Sequence, residues 1–219
     1  MIKRRDLAGI LEEGEGLQIE FKMKFTSPEK IAKEMIAFAN TRGGYIFFGI
    51  DDSGDIFGVE SEKGEADQIR EAAEKYCEPP LAYKIQYLPY DDKEIVIVEI
   101  PESKVKPHRI QDYKAEIDVS TAAVYVRVGE KSVPASKEMI RFMRSAGAGK
   151  TLEKYSIGTL EKAVFQYLQQ HESVTAEELA GLLNVSGRRA SRTLVKLVRA
   201  GLLLIHTRGN GESYFTPME

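Results

Sequence analysis

The chain has 219 residues, more than the ~100–150 typical of one domain and too few for three, and its 42% hydrophobic and 30% charged residues exclude a disordered polymer. Apolar runs at residues 45–50 and 202–205 fall far short of the ~18 a membrane span needs, and no signal-type apolar stretch follows Lys3-Arg4-Arg5, so a cytoplasmic protein with no membrane partner is expected. The single cysteine, Cys77, rules out an intramolecular disulfide or a thiolate zinc cluster, and the net charge of −3 argues against indiscriminate coating of nucleic acid.

In chain order, an apolar opening at Ile10 and Leu11 leads to a short strand over residues 17–22. Ser27 and Pro28 then start a helix, one as cap and the other at the first helical position, with Ile31, Ala32, Met35, Ile36, Phe38 and Ala39 at helical spacing. Asn40-Thr41-Arg42-Gly43-Gly44 stops it. Residues 45–50 form an unbroken apolar and aromatic run too short for a helix, which reads as a strand buried on both faces, and Asp51 to Gly54 turn the chain.

A polar helix is expected over 65–76, and residues 82–88 and 94–100 alternate as a hairpin around 89–92. Residues 101–121 lack clean periodicity and carry Lys104, Lys106, His108, Arg109 and Lys114, a long basic loop of the kind that is often functional but is as readily a solvated excursion. A strand over 123–128 and a helix over 136–143 close a first domain, residues 1–146, of α/β (α+β) class with a mixed sheet. A small-residue linker follows at 147–158. The string Ala146-Gly147-Ala148-Gly149-Lys150-Thr151 is not a phosphate-binding P-loop, because Arg144 stands where a glycine is required and a helix, not a buried strand, precedes it.

The second domain, residues 159–219, reads as helices over 160–169, 176–183 and 187–200, then two short strands over 202–207 and 213–216 around Arg208-Gly209-Asn210-Gly211. Three helices followed by a hairpin is the order of a winged helix-turn-helix. From residue 186 to 210 there are six basic residues, Arg188, Arg189, Arg192, Lys196, Arg199 and Arg208, and no Asp or Glu. Projected on a helix, the first five share an arc of about a quarter turn opposite Ala190, Leu194, Leu197 and Val198. An ordinary surface helix mixes both signs of charge; a helix that reads DNA needs an apolar back and a cationic front. Arg208 would sit at the tip of the wing, where it serves equally as a phosphate contact or as an exposed turn arginine.

In the first domain Glu15, Glu20 and Asp51 or Asp52 form a second candidate cluster. Grouped carboxylates can hold Mg²⁺ or Mn²⁺ to orient a phosphodiester and activate water. Spacing alone favours the plainer alternative, in which the aspartates open a turn and Glu20 pairs with Lys22, Lys24 or another cation.

Residues 15–22, Glu-Gly-Leu-Gln-Ile-Glu-Phe-Lys, and residues 37–52, from Ala37-Phe38-Ala39-Asn40-Thr41-Arg42-Gly43-Gly44 to Asp51-Asp52, resemble the Schlafen-like AlbA domain family, also called divergent AAA. The resemblance continues through Gly54, Ile56, Gly58, Pro101-Glu102-Ser103, Lys106-Pro107-His108, Tyr125-Val126-Arg127-Val128-Gly129 and Pro134-Ala135-Ser136, about residues 7–145. It implies an α/β fold associated with nucleic acid, frequent in prokaryotic regulators that end in a winged helix. Some Schlafen members are ribonucleases whose site acids would fall on Glu15, Glu20 and Asp51; here Gly16 replaces the serine often found after the first Glu, and the chain has one lobe where Schlafen nucleases have two.

The expectation is therefore a DNA-binding transcriptional regulator acting on double-stranded DNA as a homodimer, requiring no cofactor. The alternative is a ribonuclease of Schlafen type on structured RNA, needing Mg²⁺ or Mn²⁺. A third reading, a protein-interaction adaptor, ranks behind both.

Overall fold

A computed structural model describes residues 1–147 and 157–218, and the chain divides into two compact units, Met1–Val133 and Pro134–Glu219. The first unit is built on a four-stranded mixed sheet in the order β1-β2-β5-β4. Its strands are β1 (Ile19–Lys22), β2 (Gly44–Phe48), β4 (Lys84–Tyr90) and β5 (Lys93–Ile100). β1 and β2 run parallel across the helix α2 (Pro28–Asn40); β5 is antiparallel to β2 and to β4, its hairpin partner.

The apolar run of β2 has its reason in this order. β2 lies between two strands and both of its faces are covered, so its alternating side chains all meet core. Ile46 and Phe48, with Val96, Val98 and Ile100 of β5, pack under α2 and under α3 (Glu62–Lys75). Phe47, with Ile95 and Ile97, faces the other way toward Phe21 and toward Leu7 of α1 (Arg4–Glu13). Each of these large side chains contributes on the order of 1.5–3 kcal/mol by leaving water.

The helix expected from Ser27-Pro28 is α2, with the Ser27 hydroxyl accepting the Lys30 N–H at 3.3 Å. Its stop is steric as well as conformational. Gly43 has φ +69°, and a Cβ there would lie 2.6 Å from the Ile100 carbonyl oxygen; one on Gly44 would lie 2.5 Å from the Phe38 ring. Only glycines let α2 end directly against the sheet it covers.

Short pairs complete the unit: β3 (Cys77–Glu78) with β6 (Arg109–Ile110), and β7 (Tyr125–Val128) with β8 (Lys131–Pro134). The long basic loop is thus broken by β6, and two of its five cationic candidates, His108 and Arg109, are buried rather than solvated. His108 donates from Nδ1 to the Pro79 carbonyl at 2.8 Å, which leaves Nε2 to accept from the Ser103 hydroxyl at 2.7 Å. Arg109 is engaged by Asp112 and the Lys114 carbonyl.

In the second unit α4 (Lys137–Gly147) packs on α7 (Gly187–Arg199). The helix that sequence assigns to the end of the first domain therefore lies within the second compact unit. The remaining elements are α5 (Thr159–Leu168), α6 (Ala176–Leu183) and the antiparallel pair β9 (Leu203–Thr207) and β10 (Ser213–Pro217). Their core joins Val164, Val174, Leu179, Leu194, Leu197, Leu203 and Phe215. The linker expected at 147–158 and the Gly149-Lys150 string fall almost wholly outside the described residues. Among the described residues no helix is long and apolar enough to cross a membrane.

Candidate nucleic-acid interface and carboxylate cluster

The basic face of α7 is set by three local devices. Thr175 and Glu178 form a reciprocal capping box that starts α6, with bonds of 3.2 and 2.7 Å. Asn184 ends α6 in the left-handed region at φ +49°, which asparagine tolerates well, and the Val185 N–H returns to the Ala180 carbonyl at 3.1 Å. Ser186 then caps α7 by accepting the Arg189 N–H at 3.3 Å. With Ala190, Ser191, Leu194 and Leu197 buried, the rotation of α7 is fixed.

That rotation leaves Arg188, Arg189, Arg192 and Lys196 exposed and Arg199 partly so. The first four have no side-chain ion pair among the described residues, so an incoming phosphate would not have to displace an acid. Arg208 differs. At the hairpin tip its Nη1 donates to Glu212 at 2.9 Å, and its guanidinium lies 5.2 Å from the centre of the Tyr214 ring. A phosphate there must compete with an exposed pair, a cost of roughly 0–1 kcal/mol.

The carboxylates of the first unit are organised around a cation that sequence reasoning did not single out. The Arg127 side chain is fully buried; its Nη1 donates to Glu20 at 2.7 Å and to Glu34 at 3.3 Å, and its Nη2 to the Gly16 carbonyl at 2.6 Å. The guanidinium sits 4.6 Å from the Phe38 ring centre, and Nε has no partner among the described residues. The second Glu20 oxygen takes the ammonium of Lys22, and Glu34 also accepts from Ser132.

Glu15 accepts the Phe21 N–H at 2.8 Å and lies 4.0 Å from Lys22. Burial raises its pKa above the usual carboxylate value; the Phe21 N–H opposes that shift, while the neighbouring Glu20 and Asp52 charges add to it. Asp51 turns its carboxylate into its own loop, accepting the Ser53 and Asp55 N–H groups at 3.0 and 2.9 Å. Glu15 and Glu20 therefore share Lys22, and Asp51 serves the turn.

Among the described residues no three His, Cys, Asp or Glu side chains gather as metal ligands. The arrangement does not fit a divalent-metal centre, because the Glu20 oxygens already hold a guanidinium and an ammonium and Asp51 is committed to backbone donors.

The same geometry explains Asn40 and Thr41. Buried Asn40 donates to the His108 and Tyr125 carbonyls at 2.9 and 3.0 Å and accepts the His108 N–H at 2.8 Å. Thr41 accepts the Arg127 N–H at 2.9 Å and donates to the Ala37 carbonyl. The end of α2 thus holds β7 and, through it, the buried arginine.

A family model described as Schlafen, AlbA_2 matches residues 15–136. Among the solved structures similar to this chain are two at low identity. One is the N-terminal domain of a RecG-related protein from Nitrosomonas europaea, 23% identical with a TM-score of 0.42, over 60% of this chain and 92% of that one. The other is the DIP2311 protein from Corynebacterium diphtheriae, 19% identical with a TM-score of 0.45, over 70% of this chain and about a third (33%) of that one. No curated protein matches. With more than half of its 219 residues matched, and with Glu20, the Asn40 to Gly44 helix stop and Arg127 all inside that span, the chain belongs to the Schlafen AlbA_2 family.

Proposed function

We propose that residues 159–219 form a winged helix-turn-helix that binds double-stranded DNA, with α7 as the reading helix and the β9–β10 hairpin as the wing, and that the protein acts in the cytoplasm as a transcriptional regulator. The observation that carries this reading is the exposed, single-signed face of Arg188, Arg189, Arg192 and Lys196 on a helix whose opposite face is locked into a core. Membership of the Schlafen AlbA_2 family supports an association with nucleic acid. A two-fold dimer would present two copies of α7 to two half-sites, the usual way such helices reach useful affinity.

The test is fluorescence anisotropy on duplex DNA across a salt series, with an Arg188→Ala/Arg192→Ala variant alongside. Each lost phosphate contact should lower the log–log salt slope by about one, so the variant should lose roughly two. An unchanged slope, or no binding by the intact protein, would refute the assignment. Sedimentation at tens of micromolar giving only monomer would remove the dimer.

A further inference from the structure

The cationic face of α7 does not lie on an open surface along its whole length. From Arg189 to Arg199 it forms the floor of a cleft of about 720 Å³ within the second unit, walled by α4 on one side and by the first turn of α5 on the other. The lining brings together Arg189, Arg192, Lys196 and Arg199 of α7 with Arg141 of α4, against a single carboxylate, Glu161. Glu161 is engaged by the Gly158 N–H at 3.0 Å, closing the start of α5.

Size and chemistry point the same way. A cavity in the ~300–1,000 Å³ range suits a small organic ligand and is far larger than one phosphate needs. Four arginines and a lysine set into two helices form a polyanion receptor, and guanidinium forks bind phosphate oxygens two at a time. Leu160 and Val195 supply an apolar wall for the non-phosphate part. Arg141 is placed rather than loose: its Nη1 donates to the buried Ser191 hydroxyl of α7 at 2.6 Å and to Glu138 at 3.4 Å. Arg188 lies outside the lining, at the exposed first turn of α7.

We infer that this cleft binds a small organic oligophosphate of the nucleotide class, and that the ligand, by occupying Arg189, Arg192 and Lys196, displaces DNA. The displacement rests on the reading of α7 as the DNA-binding helix; the binding of the ligand does not. Duplex DNA is itself a source of phosphate, so the test must separate a bound small anion from backbone contact and from plain salt.

The probe is sodium tripolyphosphate, titrated calorimetrically into the full-length protein and, separately, into its complex with labelled duplex DNA, with sodium chloride at matched ionic strength as control. Saturable binding is expected, with DNA released at tripolyphosphate concentrations where matched chloride leaves it bound. Arg141→Gln, which keeps a donor toward Ser191 but removes the charge, should weaken tripolyphosphate roughly tenfold, the scale of one charge-assisted contact, while leaving DNA affinity within about twofold. Circular dichroism of the variant confirms that it is folded, and Lys196→Gln provides a second loss from the floor of the cleft. DNA binding without saturable tripolyphosphate binding, or an Arg141→Gln and Lys196→Gln pair that bind tripolyphosphate like wild type, overturns the cleft site and leaves the DNA reading standing. Saturable binding lost in Arg141→Gln by a protein that ignores duplex DNA supports the cleft and refutes the DNA reading instead.

Discussion

Replacing Arg127 by methionine tests the account of the first unit most directly, because the guanidinium is fully buried and holds two largely buried acids at once. The substitution keeps an apolar body over Phe38 but leaves Glu20 with Lys22 alone and Glu34 with Ser132 and a distant Lys33 at 3.9 Å. It also strands the Gly16 carbonyl, which now accepts at 2.6 Å. Breaking a buried pair from one side costs about 3–5 kcal/mol, a large part of a domain's ~5–15 kcal/mol. At a urea dependence of ~2 kcal/mol per molar, the unfolding midpoint should fall by roughly 1.5–2.5 M. Cys77, the one cysteine, lies in the core of this unit, so labelling of its thiol against urea reports on this unit alone. A Glu20→Gln/Arg127→Met double variant should cost less than the sum of the two single changes, since the second removes a charge that the first has already orphaned. A midpoint shift under ~0.5 M, or strict additivity, would show that Arg127 is not the cation on which these carboxylates depend.

Two further expectations follow from buried titratable groups. Burial lowers the His108 pKa below its ordinary value of 6.5, against the Pro79 carbonyl and Glu78, which favour the charged form, so the unfolded chain takes up a proton more readily than the folded one. Stability should therefore be full above pH 6.5 and decline as pH falls from there toward the depressed folded value; a His108→Gln variant whose melting temperature keeps the same slope over that window would contradict this. The Cys77 thiol is pushed up to about 12 by burial, so the native protein should stay unmodified by a thiol reagent at pH 8 and react fully in urea; rapid native labelling would place Cys77 at a surface.

The elements legible in the sequence are those whose local chemistry and tertiary fate agree. Ser27-Pro28 starts α2 and the 45–50 run is a doubly covered strand, because cap chemistry and burial on both faces leave direct marks in composition. α1 left no such mark. Its Arg4 and Arg5 stand at the end of a helix where cations are disfavoured, and packing of Leu7 against the far side of the sheet holds it in place. The α7 face was legible for the opposite reason, since within one helix spacing alone decides which side chains gather. Arg127 was not: its acids lie 107 and 93 residues away, and only the pairing of β7 with the end of α2 brings them together. The signal available was weak, a charged residue beside valines in a short strand.

Asn40 grips the backbone at His108 and again at Tyr125, so the excursion between them leaves and rejoins the fold at two fixed posts. Within it β6 stays tied to β3, and the Ile110 N–H closes on the Ala123 carbonyl at 2.9 Å; only the part beyond, with the exposed Tyr113 and the Asp118 to Thr121 turn, answers to loop closure rather than to the core. Doubling the length of such a tether costs only about 0.6 kcal/mol. Evolution, or an experimenter grafting a peptide tag, thus has a stretch in which length is nearly free, its neck held shut by Asn40 and by the β6 backbone.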